Sequence, residues 1–332
     1  MRKVMWIVAV AAVAWCGWWW IASFGLRSGV ATWFDARAAE GWQAELRDVE
    51  GGGFPLTLRA GLRDVAIADP QAGLAIQTES IDIAAPAWWP GDVTVALDDG
   101  PILVASPLGR STLTMQDGLL ALNLHPGPAL ELEALGWTAG PWSVRDGAGI
   151  QAQANDLTLT MVQTQGAQYA LTAVADAFSP GDAARRGLRL PDTFPRAFDS
   201  LQLRADITFD KPWDRSALDQ GRPQPRVIDL HLAEAIWSDL RFNLSADLTV
   251  DAQGVPAGTI AIQAENWRTM LDLAQNVGAL PAQFRSQAES ILQALANASG
   301  NSDTLDVELS LRDGAIRLGF IPLGPAPRLI LR

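Results

Sequence analysis

The sequence predicts a mainly β protein: one large curved antiparallel sheet, built as an open trough or a two-lobed sandwich and carried on an N-terminal transmembrane helix. Three observations point there. An uncharged apolar run opens the chain. Short stretches of period-two alternation, separated by Asp-Gly and Pro-Gly turns, fill most of the remaining chain. Helical periodicity is confined to a short lead-in helix after the apolar run and a helical pair near residues 265–298.

From Val4 to Phe24 there is no charged residue. About 20 apolar residues rising 1.5 Å each match a hydrocarbon layer roughly 30 Å thick. Val4, Trp6, Ile7, Val8, Val10 and Val13 make up the apolar body, with Arg2 and Lys3 before it. Trp15, Trp18, Trp19 and Trp20, with Ile21 and Phe24, crowd the far end, where amphipathic indoles favour the membrane interface. Ala12 and Ala14 form an A-x-A pattern of the kind a signal peptidase cuts. Cleavage there would leave a new terminus starting with Trp15, so an uncleaved signal anchor over residues 1–25 is the expectation. Arg27 and Arg37 balance Arg2 and Lys3, and flanking charge alone leaves orientation nearly tied. The very short leader favours a cytoplasmic N-terminus and an exported body, residues 26–332.

Leu26, Val30, Trp33, Phe34 and Ala38 recur at helical spacing up to Gly41 and predict the lead-in helix. Alternation then takes over, at Leu56 and Leu58, Val65 and Ile67, Ile81 and Ile83, and Val93, Val95 and Leu97. Turns are expected at Gly51 to Gly53, Asp69-Pro70, Trp89-Pro90-Gly91, Asp98-Asp99-Gly100, Asp117-Gly118 and Asp146-Gly147. No helices intervene, so consecutive strands pair antiparallel. The stretch 179–195, rich in Pro, Gly and Arg, is a candidate boundary between two β lobes; its Arg185, Arg186 and Arg189, punctuated by Gly181, Gly187 and Pro191, read as a solvated loop. Further strands are expected around Leu201 to Phe209, Ile228 to Leu232, Phe242 to Val250 and Thr259 to Ala264.

In the helical pair, Trp267, Met270, Leu271, Ala274 and Val277 form one stripe, and Phe284, Ala288, Ile291, Leu292 and Leu295 another; Gly278 and Pro281 separate them. Packing on the sheet is the default. A sharper reading makes Trp267, Met270, Leu271, Phe284 and Ile291 candidates for facing lipid or a partner. The chain closes on a hairpin, Leu305 to Leu311 and Ile316 to Phe320, around Asp313-Gly314.

Composition narrows the function. Without Arg2 and Lys3, 23 basic residues face 37 acidic ones, a net charge of −14, so no nucleic-acid partner is expected. The one cysteine, Cys16, lies in the apolar run, and the body can form neither a disulfide nor a thiolate metal site. His125 and His231 are far apart and read as structural or surface residues, and Lys211 is the body's single lysine. Asp98-Asp99 precedes Gly100-Pro101 and reads as a turn rather than a calcium or acid/base pair. Phosphate-loop, nucleophile-elbow, zinc-protease and paired-cysteine motifs are all missing, and neither catalytic residues nor cofactor nor metal are expected. Trp88, Trp89, Trp137, Trp142, Trp213, Trp237 and Trp267 either fill the core or line a trough suited to an acyl chain.

The stretch Gly41 to Pro70, with Val49, Leu58 and above all Gly53-Phe54-Pro55 followed by Arg59, resembles the bacterial family named domain of unknown function 2125. The Ala87-Trp88-Trp89-Pro90 segment, the late helical pair and the closing hairpin extend the resemblance over nearly the whole chain. Gly53, Phe54, Pro55 and Arg59 are then structural motif residues, and no activity is implied. More distantly the architecture resembles AsmA-type envelope proteins, whose curled sheets are implicated in moving or organising lipid. Both resemblances imply a single-pass protein of the bacterial inner membrane with its body in the periplasm. The leading expectation is a non-enzymatic protein that binds or organises lipid or another envelope component. A scaffold docking a partner envelope protein comes second and an envelope hydrolase third.

Overall fold

The computed structural model describes residues 1–70, 73–107, 109–187, 189–190, 194–218, 221–276, 280, 282–298, 302–319 and 321–331. The protein is mainly β: 21 antiparallel strands in one large open sheet, with four α-helices, among the described residues. By compactness the chain divides into two units, the first holding residues 1–124, 137–140 and 144–147 and the second the remainder.

The first unit begins with α1 (Arg2–Ala39). The expected anchor and lead-in helix are one unbroken helix. Nothing between Phe24 and Leu26 stops it: Gly25 carries a cost near 1 kcal/mol relative to Ala but keeps the helical backbone. The helix ends where Gly41 takes a positive φ of 93° and Trp42 N–H bonds back to the Arg37 carbonyl at 3.0 Å. Arg37 locks that end, its guanidinium lying over Trp33 and Trp42 and paired with Glu40 at 2.7 Å.

Eight strands come next: β1 (Gln43–Glu45), β2 (Asp48–Gly52), β3 (Thr57–Asp69), β4 (Leu74–Pro86), β5 (Asp92–Leu97), β6 (Ile102–Ser106), β7 (Gly109–Met115) and β8 (Leu119–Leu124). The long β3–β4 hairpin is the spine, in register from Thr57 opposite Pro86 to Asp69 opposite Leu74. β2 and β1 share the outer edge of β3, while β5 and β6 share that of β4 and are extended by β8 and β7. The C-terminal half of α1 lies along β3. Phe34 packs with Ala60, Leu62 and Val65, supported by Leu26, Val30 and Trp33. The lead-in stripe therefore buries against the sheet, as its spacing requires.

The second unit runs through β9 (Leu132–Ala139) and β10 (Trp142–Asp146), both divided between the units, then β11 (Gly149–Ala154), β12 (Leu157–Gln165), β13 (Gln168–Val174), β14 (Ser179–Pro180), α2 (Asp182–Gly187), β15 (Ser200–Phe209), β16 (Pro225–Trp237), β17 (Leu240–Val250) and β18 (Pro256–Glu265). After α3 (Trp267–Asn276) and α4 (Arg285–Ala298) come β19 (Thr304–Arg312), β20 (Ala315–Leu318) and β21 (Ile321–Pro325). From β12 the strands meander, each beside its neighbour in the chain except for the insertions of β14 and the helical pair. The expected hairpin at Asp313-Gly314 is β19–β20, turning at Asp313 (φ 55°) and Gly314 (φ 71°), the double left-handed geometry a two-residue turn needs, and β21 adds a further strand beyond it. Val277, Gly278, Pro281, Pro191 and Phe320 lie outside the described residues.

Aromatic residues fill this unit's core. Tyr169, with no exposed surface, meets Phe209, which meets Trp213 edge-on; Trp237 stacks on Phe198 at 4.4 Å and meets Phe194 edge-on. The solvated reading of the arginine cluster needs correcting for one member. Arg185 is buried and donates to the carbonyls of Pro195 (2.8 Å) and Phe194 (2.9 Å), which replace its water. Arg186 and Arg189 are exposed.

Candidate functional site

The motif Gly53-Phe54-Pro55 forms the turn between β2 and β3. Gly53 has φ +96°, and a Cβ there would stand 2.4 Å from the Thr57 carbonyl oxygen, so no other residue fits undistorted. Thr57 N–H closes the turn onto the Gly53 carbonyl at 2.9 Å. Beside it lies the β4–β5 turn, tied across by Ala87 N–H donating to the Leu56 carbonyl at 2.8 Å.

These two turns seat the apolar part of α1. The indole N–H of Trp15 donates to the Pro55 carbonyl (2.9 Å), that of Trp19 to the Thr57 carbonyl (2.8 Å) and that of Trp18 to the Ala87 carbonyl (2.8 Å). The Trp19 ring stands edge-on to Phe54 at 5.2 Å. Farther along, the Arg27 side chain lies against Gly51. Three of the four clustered tryptophans thus bond to the protein's own backbone; Trp20 remains outward, stacked on Phe24. Val4, Trp6, Ile7, Val8, Val10, Val13, Ile21 and Phe24 are all exposed on α1. On the sheet side, Phe54 (57% exposed), Leu56 (58%) and Trp88 (64%) project from the same pair of turns, while Pro55 and Arg59 are also exposed.

The opposite end of the β3–β4 hairpin carries a cleft of about 760 Å³, walled by β1, β3, β4, β6, β7 and the end of β10 with Gly147. Ile67, Ile76, Leu103 and Val104 give it an aliphatic lining, and Arg110, Arg145, Glu45 and Asp146 its charge. Ile76 and Leu103 are about half exposed. The volume is that of an ordinary ligand site. No sequence motif marked this cleft; outward-pointing aliphatic residues on β4 and β6 were its only trace.

The second unit offers less. His231 Nε2 lies 2.9 Å from Asp206 Oδ2 and its Nδ1 3.4 Å from Asp229 Oδ1. Asp206, Asp229 and Asp247 oppose one another in register across β15, β16 and β17. The hydrogen bond to Asp206, with the field of the other carboxylates, raises the imidazole above its ordinary 6.5. His125 faces Gln163 at 2.7 Å. Ser216 donates to Asp214 and accepts from Lys211, but this is a local turn in which Asp214 caps the start of the short helix Arg215–Leu218; the hydrogen bonds from Ser216 hold the Asp214 carboxyl below the usual range. Asp99 accepts from Asp117 N–H, a turn-to-turn bond. Among the described residues no group of three His, Cys, Asp or Glu is arranged to hold a metal.

For the helical pair the structure divides the candidates. Trp267 is 2% exposed and packs with Ala264 and Ala296, so it faces the core and not lipid or a partner; Met270 and Leu271, partly buried, pack against the same cluster. The cause is the sheet beneath, where Phe242 and Leu305 complete the apolar surface. Phe284 and Ile291 point outward, 49% and 48% exposed.

Fold and site define a β-sheet protein with one N-terminal helix long and apolar enough to cross a membrane, docked by its tryptophans onto a sheet end. Over residues 18–327 the chain matches the family described as uncharacterized protein conserved in bacteria, DUF2125, and it belongs to that family. No curated protein matches it.

Proposed function

We propose that this is a non-catalytic, single-span protein of the bacterial inner membrane, its body in the periplasm, that binds lipid or a similar envelope amphiphile on its sheet. The observation that carries this reading is the cleft of about 760 Å³ in the unit that bears the anchor. An aliphatic lining beside Arg110 and Arg145 matches an acyl chain joined to an anionic headgroup. The signal-anchor arrangement of α1 supports the orientation, and the likeness in architecture to AsmA-type proteins agrees with it.

The test uses full-length protein in mild detergent, with native mass spectrometry and lipid extraction. Phospholipid adducts are expected on the wild type and are lost on Ile76→Asp with Leu103→Asp, at the cleft. Adducts unchanged by that pair, or none at all, overturn the lipid reading. A reporter fused after Arg332 is expected to be active in the periplasm, and activity confined to the cytoplasm overturns the orientation. Exposed Phe284 and Ile291 favour a second reading, partner docking through the helical pair. Site-specific crosslinking from these positions in cells distinguishes the two.

A further inference from the structure

Depth along α1 has a consequence for the sheet. If Val4 to Phe24 crosses the bilayer, Trp15 lies about 14 Å and Trp19 about 7 Å inside its far end, at 1.5 Å per residue. Both are bonded to the β2–β3 turn, at Pro55 and Thr57. The turn is therefore held at the same depth. Two rulers agree on the geometry. Trp19 to Arg27 is about 12 Å of helix. The matching strand residues are Thr57, bonded to Trp19, and Ala60, paired with the Gly51 that Arg27 touches; they are about 10 Å apart. Helix and strand rise together.

We infer that the two turns at this end of the sheet, carrying Phe54, Leu56 and Trp88, are inserted among the acyl chains of the leaflet on the body's side; this rests on the membrane-anchor reading above. The chemistry fits. Residues 51–58 and 83–91 hold no charge, and their three exposed large side chains are all apolar. Backbone polar groups cannot be left unpaired in hydrocarbon. Here Pro55, Pro86 and Pro90 have no N–H to satisfy. The Pro55, Thr57 and Ala87 carbonyls take the three indoles, and the Gly53 and Leu56 carbonyls take backbone N–H groups of the turns. Charge returns where the headgroups begin. Arg59, exposed and in no ion pair among the described residues, stands two strand residues above Thr57, about 7 Å and so level with Phe24, where its guanidinium meets lipid phosphate. On the other side Asp92, paired with Asn123, sets the limit of insertion.

The test places single cysteines, in a Cys16→Ser background of the full chain, at Phe54→Cys, Leu56→Cys and Trp88→Cys. Val8→Cys in the anchor and Leu119→Cys on β8 serve as references. Each variant carries a nitroxide, is reconstituted in vesicles of phosphatidylethanolamine and phosphatidylglycerol, and is read by collision with oxygen and with a water-soluble nickel chelate. Positions 54, 56 and 88 are expected to lose nickel collisions and gain oxygen collisions, as position 8 does, while 119 stays open to nickel. Nickel access at 54, 56 and 88 equal to that at 119, with position 8 protected, overturns the insertion and leaves the anchor standing. Nickel access at position 8 itself overturns the anchor reading and the insertion with it.

Discussion

Replacing Gly53 by alanine tests whether the G-F-P turn is built to hold α1. The backbone there is at φ +96°, a region closed to residues with a Cβ, at a cost of about 1–3 kcal/mol. The new methyl would also stand 2.4 Å from the Thr57 carbonyl oxygen, which must move. That oxygen accepts the Trp19 indole at 2.8 Å, and an orphaned, partly buried donor adds about 1–3 kcal/mol. Together the change costs about 2–6 kcal/mol, enough to lower the melting transition of the first unit by roughly 10 °C or more. Gly52→Ala is the control. Its Cβ would meet nothing within 4 Å and its φ is not in the left-handed region, so it should shift stability by about 0.5 kcal/mol at most. The assay is thermal unfolding of full-length protein in detergent, tracked by tryptophan emission and by proteolysis between anchor and body. Equal shifts for Gly52→Ala and Gly53→Ala, or a Gly53→Ala protein whose anchor stays as protected as the wild type, would refute the reasoning.

In the second unit, Trp267→Ala should cost about 3–5 kcal/mol in denaturant unfolding, and exposed Phe284→Ala about 0.5 or less; similar costs would mean the pair's buried face is wrongly assigned. Tyr169 is the only tyrosine, so ultraviolet titration of the phenolate reports it alone; burial should hold its midpoint above 10.0 in the folded protein and denaturant should return it there. The stability it contributes is intact below pH 10 and is lost as pH rises through the raised folded value, and a folded midpoint at or below 10.0 would contradict its enclosure. For His231, proton NMR should give a midpoint above 6.5 that falls on Asp206→Asn; because the folded value is raised, its contribution is present below pH 6.5 and fades as pH climbs through the folded midpoint. An unchanged midpoint in the variant would show that Asp206 is not the main cause.

Much of the fold was legible because it is local. Period-two alternation from Val65 to Ile67 and from Val93 to Leu97 marked β3 and β5, and Asp313-Gly314 marked the β19–β20 hairpin, since only such residues take two left-handed conformations in succession cheaply. The lead-in helix is legible as a helix, but not its continuity with the apolar run, for an equally local reason: its stripe differs from the uniformly apolar run before it, yet a change in which faces are apolar does not break a helix. The candidate site was far less legible. The indole bonds of Trp15, Trp18 and Trp19 join residues 40, 69 and 38 positions apart, beyond any periodic window. The cleft draws on six strands whose neighbours are chosen by pairing register.

By itself, then, the sequence determined the apolar helix, the strand and turn pattern, a body without cysteine and the family motif, because each depends on side-chain type at short spacing. Only the tertiary structure decided which tryptophans anchor and which fill a core, that Arg185 is buried, that Trp267 faces inward while Phe284 does not, and that Gly53, Phe54 and Pro55 form the seat of the helix. Those outcomes depend on which backbone carbonyls and apolar surfaces the register brings opposite each side chain. A tryptophan reads the same in sequence whether its N–H ends in lipid headgroups or on the carbonyl of Thr57.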